Sequence, residues 1–403
     1  MDLSQYSEEQ LAYIIKTKDE TNLSWTEIAE KYNKKFKENK YCESLRKCYH
    51  RNKHYFDQKD APIKTLKQIQ QTKKNSSNVA KENKIIIDHL LSQDSIIEAI
   101  QNAVKEISLT KYKIPKPISK DNKKEKMTLE ALLSDIHFGK LVKNEQGKIV
   151  INSEEIRVRL KKMSDQIIKE IQRNKEHFNV ERLIVSCLGD LIENSSMHNI
   201  ESLKGCEFGT SRQVFECIQS LYSDFFLPLA LTGIKIDVIA ITGNHDRNGD
   251  SQTYVNRGED NLSFIIFKTL QLLCKNSNLT NMDFNISIKI YNHTKVYGNT
   301  ILLEHGDEIR SLDRNVLTTM MNKRQSQINQ IVHFYRIGHF HEPIILGQGK
   351  IMVNGSITGS DGYSDGKGYS SEALQFLNYY VETNKRKTCY FKNFPIYLEE
   401  IKK

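Results

Sequence analysis

The 403-residue sequence predicts a layered α/β body preceded by a small all-α module. After residue 127, short apolar runs that end in polar clusters alternate with long helical stretches, which is typical of α/β layers. Residues 1–127 carry 26 Lys+Arg against 18 Asp+Glu, a net +8, whereas residues 128–403 carry 33 against 32, a net +1. This asymmetry predicts a polyanion-binding module joined to a body that is not itself strongly basic.

Length and composition limit the class of protein. A chain of 403 residues exceeds what one hydrophobic core usually supports, so we expect several folded units. The sequence contains no run of about 18 apolar residues, the length needed to span a membrane. Its first residues lack the basic-then-apolar order of a secretory signal. Seven cysteines without a repeating spacing do not form a disulfide framework. We therefore predict a cytoplasmic protein with reduced thiols and no membrane partner.

Three helices are predicted in residues 1–56. Ser7 can cap a helix with Gln10 at the capping-box position, and Ser24 can cap a second helix. A third follows over "ESLRKCYHRNKHYF". The face predicted to be buried in the second helix consists of Trp25, Ile28, Ala29 and Tyr32, which recur at helical spacing.

The third helix directs Leu45 and Cys48 inward, and residues 31–53 hold nine basic and two acidic side chains. This arrangement resembles a helix-turn-helix of the homeodomain-like or resolvase-like kind, with DNA as the partner. The alternative is a small helical bundle whose charges are only solvated. Candidates for base contact are Arg46 and Arg51 on the third helix, beside Lys47 and Lys53, and the candidates for phosphate contact are Lys34, Lys35 and Lys37.

Residues 57–127 are predicted to be a basic linker that contains one amphipathic helix. Apolar residues recur at helical spacing over 84–107, between polar, lysine-rich stretches. Such a helix could pack on the body or pair with a second copy of the chain, which would make the protein a homo-oligomer. The stripe is too short to establish a coiled coil.

Five polar clusters follow apolar runs in residues 128–403: "DIH", "GDLIEN", "GNHDR", "EHGD" and "GHFH". One such cluster alone is weak evidence, because a lone histidine in a short motif is commonly structural. Five in sequence at predicted strand ends indicate side chains that meet at one edge of a sheet. Carboxylate, amide and imidazole groups in that mixture are suited to divalent metal ions.

Together the five clusters resemble those of the calcineurin-like metallophosphoesterases over about residues 128–360. The resemblance implies a layered metallophosphoesterase sandwich with helices on the outside, and two divalent ions, for which Mn²⁺ is expected and Zn²⁺ or Fe²⁺ also fit. The residues implied as metal ligands are Asp135, His137 and His341 for one ion, Asn244, His305 and His339 for the other, and Asp190 as the bridge.

The resemblance also implies that His245 donates a proton to the leaving oxygen and that Asp246 orients it. The segments "GDLIENSS" and "GNHDR" depart from the GDxVDRG and GNHE of protein phosphatases, which argues against a phosphoprotein substrate. They are closer to SbcD-type nuclease subunits, although about 60 residues after "GHFH" leave little for the capping domain of those enzymes. Phage-encoded phosphoesterases with N-terminal helix-turn-helix modules are also similar.

Three functions remain open at this stage. The first is a two-metal phosphodiesterase, in particular a nuclease brought to DNA by residues 1–56. The second is a phosphatase or cyclic-nucleotide phosphodiesterase for small substrates, which leaves the basic module without a use. The third is a DNA-binding regulatory protein on an inactive phosphoesterase scaffold, which the complete set of seven ligand residues disfavours.

Overall fold

The computed structural model describes residues 6–56, 110–116, 123–144, 146–195, 205–248, 258–359, 372–383 and 389–399. The chain divides into two compact units, Met1–Asp88 and His89–Lys403. The amphipathic helix predicted over 84–107 and most of the linker predicted over 57–127 lie outside the described residues. No helix in the described part of the chain combines the length and apolarity needed to cross a bilayer.

Three helices form the described part of the first unit, as predicted. They are α1 (Glu8–Glu20), α2 (Trp25–Phe36) and α3 (Cys42–Phe56). Reciprocal capping boxes begin the first two helices: the Ser7 and Ser24 hydroxyls accept from backbone amides three residues on, and the Gln10 and Glu27 side chains accept from the cap amides. Lys37 ends α2 in a left-handed conformation.

The first unit has its own apolar core. Ile14, Ile28, Tyr32 and Leu45 are fully buried and bring all three helices together. Trp25, which we expected to be buried, packs at the edge of this core and is only partly covered. Because the helices are short, their stability depends on this shared core more than on helix propensity.

Two sheets form the centre of the second unit. The first has the order β13-β12-β1-β4-β5-β6, with β1, β4, β5 and β6 mutually parallel and β12 and β13 antiparallel. Its strands are β1 (Lys126–Leu133), β4 (Asn179–Cys187), β5 (Lys235–Ala240), β6 (Met282–Ile286), β12 (Leu374–Glu382) and β13 (Cys389–Tyr397). A small separate hairpin consists of β2 (Val142–Lys143) and β3 (Ile149–Ile151).

The second sheet has the order β10-β11-β9-β8-β7, in which β8, β9 and β11 are parallel. Its strands are β7 (Tyr291–Val296), β8 (Asn299–Glu304), β9 (Phe334–Ile337), β10 (Ile344–Leu346) and β11 (Ile351–Val353). The helices of this unit are α4 (Ser153–Lys175), α5 (Thr210–Ser220), α6 (Leu227–Ala230), α7 (Leu262–Asn276) and α8 (Arg314–Ile328); a π-helical segment, Leu221–Phe226, joins α5 to α6.

Alternation along the strands sorts the core into layers. Leu132 and Ile184 of the first sheet pack against Ile301 and Leu303 of the second, whereas their neighbours in sequence face the helices. Leu302 faces the opposite way and joins a third cluster with α8. The mixed α/β class predicted from the sequence is confirmed, with two sheets face to face and helices outside them.

Residues 110–116 belong to the second unit by their contacts. We assigned them to the linker, but the Tyr112 amide donates to the Ser277 carbonyl at 2.9 Å, and Tyr112 and Ile114 pack on the helical side of the first sheet. A Cβ on Gly233 would lie 2.7 Å from the Pro115 carbonyl oxygen, so backbone passes closely over backbone here. This segment therefore extends the folded body upstream of β1.

Candidate metal centre

The five polar clusters follow strand ends as the sequence predicted. Asp135 comes two residues after β1, Asp190 three residues after β4, and Asn244 follows β5. His305 comes directly after β8, and His339 two residues after β9. Because all five strands are parallel within their sheets and end at one edge of the sandwich, chemistry-bearing residues distant in sequence meet there.

Six of the predicted metal ligands form two neighbouring groups that share no residue, and Asp190 and His137 also form a third group with His245. Donor atoms of Asp135, His137 and His341 lie within 4.8 Å of one another, and so do those of Asp190, His305 and His339. The carboxylates and most of the imidazoles are buried, with Asp135 fully so. The groups are close to each other, since the nearest oxygen of Asp190 is 3.9 Å from His137 Nε2 and 3.1 Å from His305 Nε2.

The tautomer of His305 follows from its contacts. Its Nδ1 lies 2.7 Å from the Leu188 carbonyl oxygen, which can only accept, so Nδ1 carries a hydrogen. Its Nε2 then faces Asn244 Oδ1 at 3.0 Å and Asp190 Oδ2 at 3.1 Å. Three atoms with lone pairs converge at this point, which requires a proton or a metal ion between them.

His137 is arranged in the same manner. Its Nδ1 is 2.8 Å from Glu193 Oε2, and its Nε2 is 3.1 Å from His341 Nε2. His341 Nε2 in turn lies 3.5 Å from Asp135 Oδ1. Metal-binding histidines in proteins commonly have a carboxylate close to one ring nitrogen, while the other ring nitrogen points toward the remaining metal ligands. The side chains present therefore fit two divalent cations.

Five of the seven predicted ligands have a left-handed backbone, which is unfavourable for residues with a Cβ. The φ angles are 52° at Asp135, 49° at His137, 54° at Asp190, 72° at His339 and 60° at His341. Each such residue costs about 1 kcal/mol or more, and it persists only where surrounding structure fixes it. This concentration of strain in one place is typical of a functional site.

Two glycines allow the ends of β4 and β5 to approach. Gly189 has φ 93°, and a Cβ there would lie 2.4 Å from the Gly243 nitrogen. A Cβ on Gly243 would lie 2.1 Å from Asp190 Oδ1. Both distances are far below van der Waals contact, so a side chain at Gly189 would push away the Gly243 backbone, and one at Gly243 would displace Asp190.

His245 lies beside this centre. Its ring Nδ1 is 2.8 Å from the Glu193 carbonyl oxygen, so Nδ1 carries a hydrogen and Nε2 is the atom available for proton transfer. Its backbone amide donates to Asp190 Oδ1 at 2.8 Å, and its ring centroid is 4.6 Å from that of His137. The ring is therefore positioned by Glu193, next to the residue expected to bridge the ions.

Asp246 differs from the expectation that it orients His245. Its Oδ2 accepts from the amides of Asp190 at 2.9 Å and Gly243 at 2.8 Å, and its Oδ1 accepts from the Leu191 amide at 2.8 Å. Burial and the Asp190 charge raise the pKa of Asp246 to about 6. The carboxylate thus ties together the ends of β4 and β5, and the orienting contact on His245 comes from Glu193 instead.

Comparison with known proteins identifies the fold family. The profile of the calcineurin-like phosphoesterases matches residues 131–382, more than half of the chain. The chain belongs to this family. Its members are metal-dependent hydrolases of phosphate esters, and the ligand groups of this phosphoesterase are the candidate positions for the metal ions.

Solved structures similar to this phosphoesterase include a conserved protein from Streptococcus pneumoniae described as a predicted phosphoesterase. It is 15% identical, with 67% of this chain and 98% of that chain covered and a TM-score of 0.27. Vps29 of Entamoeba histolytica in complex with Zn²⁺ is 13% identical, with coverage of 66% and 99% and a TM-score of 0.27. No curated protein matches the chain.

Electrostatics divide the histidines of the phosphoesterase site. Burial and the Lys140 ammonium lower the pKa of His137 to about 4, and burial together with His305 lowers the pKa of His339 to about 4. Burial also opposes protonation of His305, but the Asp190 charge outweighs it and raises the pKa to about 10. The imidazoles of His137 and His339 are thus neutral, as metal binding requires. The proton on His305 offsets the negative charge of Asp190, which a bound divalent ion would otherwise neutralise.

Sequence reasoning missed three residues of this site. Glu193 contacts His137 and His245, and Lys140 Nζ lies 3.7 Å from Glu193 Oε2. The Asn194 side chain donates to the carbonyls of His245 and Arg247 at 2.8 and 2.7 Å. Glu193 and Asn194 lie within the cluster "GDLIEN" and Lys140 lies three residues after "DIH", so proximity to recognised motifs was the available signal.

The residues predicted to bind DNA lie in the first unit, away in sequence from the phosphoesterase residues. Arg46, Lys47 and Arg51 are exposed on α3, and Lys34 and Lys37 are exposed at the end of α2. Lys35 Nζ is 3.6 Å from Glu9 Oε1 and 4.5 Å from the centre of the Tyr13 ring, so α1 engages part of its charge. Lys53 lies in α3, and its side chain is outside the described residues.

Proposed function

We propose that this phosphoesterase is a two-metal phosphodiesterase that cleaves DNA and is brought to it by residues 1–56. The observation that carries the proposal is the buried convergence of lone pairs around Asp190, which joins the group with His305 and the group with His137. SbcD-type nucleases are the subfamily we favour, because "DIHFG", "GD" and "GNHD" are similar to their motifs.

In this proposal Asp135, His137 and His341 would hold one divalent ion, Asn244, His305 and His339 would hold the other, and Asp190 would contribute to both sites. Mn²⁺ is the metal we expect, because it accepts a mixture of carboxylate, amide and imidazole ligands. When bound, the two ions supply Lewis-acid stabilisation to the phosphoryl oxygens. The neutral state of His137 and His339 suits this role, since protonated imidazoles bind no metal.

His245 supplies the proton in the proposed reaction. Its Nδ1 hydrogen is held by the Glu193 carbonyl, so the protonated ring presents an Nε2–H to the leaving oxygen of a phosphodiester. The same contact fixes the ring plane, which limits the rotational freedom that proton transfer would otherwise require. Asp246 acts one step away by holding the backbone amides of Asp190 and Gly243 in register.

DNA is the proposed substrate because of the first unit. Arg46, Lys47 and Arg51 are exposed on one helix, and residues 31–53 carry a net +7. A helix-turn-helix with α3 as the reader would place arginines at base edges and the α2 lysines at phosphates. The competing function is hydrolysis of small phosphate esters, which accounts for the ions equally well and assigns no role to this charge.

The hydrolysis test uses the full-length protein with Mn²⁺ on labelled single- and double-stranded DNA, beside bis-p-nitrophenyl phosphate and p-nitrophenyl phosphate. Elemental analysis should approach two ions per chain, and Asp190→Asn should lose both the ions and the activity, because the shared carboxylate is gone. Cleavage of the small esters without cleavage of DNA would leave the small-substrate enzyme as the better account. Metal content near zero for Mn²⁺, Zn²⁺ and Fe²⁺ would refute the two-metal centre.

The DNA-binding test compares the full chain with a chain that lacks residues 1–56. Removing several phosphate contacts should weaken duplex binding by ~10³-fold or more and reduce its salt dependence by about 0.9 log unit per contact. Hydrolysis of bis-p-nitrophenyl phosphate should be unchanged, because the proposed ligands all lie beyond residue 134. Equal DNA affinity of the two chains at moderate salt would refute the proposed role of the module.

Three further assignments stay predictions. A cytoplasmic location is supported by six free cysteines among the described residues: Cys42, Cys48, Cys187, Cys206, Cys217 and Cys274. A phage origin rests on similarity of motifs alone. Homo-oligomerisation through residues 84–107 is checked by the mass of the full chain in solution, measured with and without that segment.

A further inference from the structure

Arg247 follows the proposed general acid, His245, by two residues. Its Nε donates to the Asn244 carbonyl oxygen at 2.7 Å. The Asn244 side chain faces His305 in the proposed metal centre. The guanidinium is thus fastened to the main chain of a proposed metal ligand.

The terminal nitrogens of this guanidinium are available to a ligand. Within the described part of the chain, neither Nη1 nor Nη2 of Arg247 makes a hydrogen bond or an ion pair, and the side chain is partly exposed. Buried arginines of this unit are different: Arg159 pairs with Glu155, Arg324 with Glu304, and Arg336 with Glu130. An anchored arginine with two free N–H groups side by side is suited to two oxygens of one anion.

The turn that carries Arg247 is fixed from several sides. The Asn194 amide group donates to the Arg247 carbonyl at 2.7 Å and to the His245 carbonyl at 2.8 Å. Arg247 also forms a backbone bridge with Asn261, the residue that caps α7. The guanidinium therefore starts from a rigid backbone, which reduces the entropy lost when it binds a ligand.

We propose that Arg247 binds the phosphoryl oxygens of the substrate through Nη1 and Nη2, as a specificity residue beside the metal centre. The inference rests on the proposed function in taking a phosphate ester as the ligand. A guanidinium can engage two phosphoryl oxygens at once, and His245, the proposed proton donor held by the Glu193 carbonyl, lies on the same turn. Arg247 thereby selects for a phosphate with two accessible non-bridging oxygens, as in phosphodiesters and phosphomonoesters.

The test measures inorganic phosphate binding to the Mn²⁺-loaded full-length protein by calorimetry, alongside hydrolysis of bis-p-nitrophenyl phosphate. Arg247→Gln keeps an amide that can donate to the Asn244 carbonyl, so the turn is preserved while the charge is lost. We expect ~10- to 100-fold weaker phosphate binding and a similar rise in KM, because a charge-assisted pair of hydrogen bonds is removed. Arg247→Lys, which retains the charge but not the fork, should fall between this variant and the wild type.

Arg173→Gln is the matched control, since Arg173 is 75% exposed near the end of α4 and pairs with Glu170 of the same helix. It should bind phosphate as the wild type does. Unchanged phosphate affinity in Arg247→Gln with full metal content would overturn the inference, and so would an equal loss in Arg173→Gln. A wild type that hydrolyses no ester would refute the proposed function instead, while the phosphate titration would still decide whether Arg247 binds the anion.

Discussion

The three-helix module and the phosphoesterase body organise their proposed functional groups in opposite ways. In the module, Arg46 and Arg51 are exposed on a helix whose apolar face is buried, so the fold only has to present them. In the body, Asp135 and Asp190 are buried at the ends of two different strands. Exposed charged side chains tolerate local variation in the backbone. Buried metal-binding side chains that must meet depend on the position of every strand end that carries them.

Backbone conformation shows the same contrast. Among the described residues of the module, Lys37 alone has a left-handed φ, and it ends a helix in the ordinary manner. In the body, that conformation occurs at five predicted metal ligands, where no helix end requires it. The body holds these residues in place with backbone contacts to Asp246 and with close glycine packing. Backbone strain is thus concentrated at the residues whose metal-binding atoms must converge.

The largest effect that would sharpen this contrast is expected from His245→Ala. Removing a general acid lowers turnover by ~10²- to 10⁴-fold, while the proposed metal ligands remain in place. Turnover on bis-p-nitrophenyl phosphate and elemental analysis would be measured together. Loss of both ions in this variant would make His245 structural rather than a proton donor. DNA binding by the module should not change.

Gly243→Ala tests whether close backbone packing sets the site. The added Cβ would lie 2.1 Å from Asp190 Oδ1, so the carboxylate must move. Because a shift of about 1 Å at a reacting centre can cost ~10²-fold in rate, we expect a loss of that order together with weaker metal binding. Gly209→Ala is the control, since a Cβ there meets nothing within 4 Å. Similar kinetics for the two variants would show that the site adapts more readily than its packing suggests.

Glu193→Gln probes the carboxylate behind His137. Its charge supports the imidazole through the 2.8 Å contact to Nδ1, and partners of this kind contribute ~10- to 100-fold in metal affinity or activity. The Glu193 carbonyl that holds His245 is kept in this variant. Metal titration followed by kinetics would measure the change, with Glu216→Gln on α5 as a control. Wild-type metal affinity in Glu193→Gln would count against the proposed support of His137.

The smallest effect is expected in the module from Ser24→Ala. The Ser24 hydroxyl caps α2, and loss of such a cap costs about 1 kcal/mol of stability. Amide exchange in residues 6–56 of the full-length protein should accelerate by roughly 5-fold, whereas exchange in the sheets of the body and hydrolysis of bis-p-nitrophenyl phosphate stay unchanged. Ser44→Ala, at an exposed position of α3, serves as the comparison. Faster exchange in the body would reveal that the two units are not independent.

Much of the fold could be predicted from local patterns. Each capping box, at Ser7 and at Ser24, spans only four residues. The starts of α1 and α2 could therefore be predicted from the sequence without any tertiary contact. Apolar runs before "DIH" and "GNHDR" likewise marked β1 and β5. The membership of residues 110–116 in the body could not be read, because it depends on contacts with residues near 277 and 233.

The sequence by itself predicted that Asp135, Asp190 and His305 would gather at one edge, since each follows an apolar run and the carboxyl ends of parallel strands share an edge. Only the tertiary structure decided which atoms meet. In the structure the Asp246 carboxylate accepts hydrogen bonds from backbone amides and does not orient His245. Glu193 contacts the Nδ1 atoms of both His137 and His245. The physical reason is that hydrogen-bond partners in a buried site are assigned by angles and distances of a few tenths of an ångström. Those depend on the packing of the whole sandwich, which no single motif encodes.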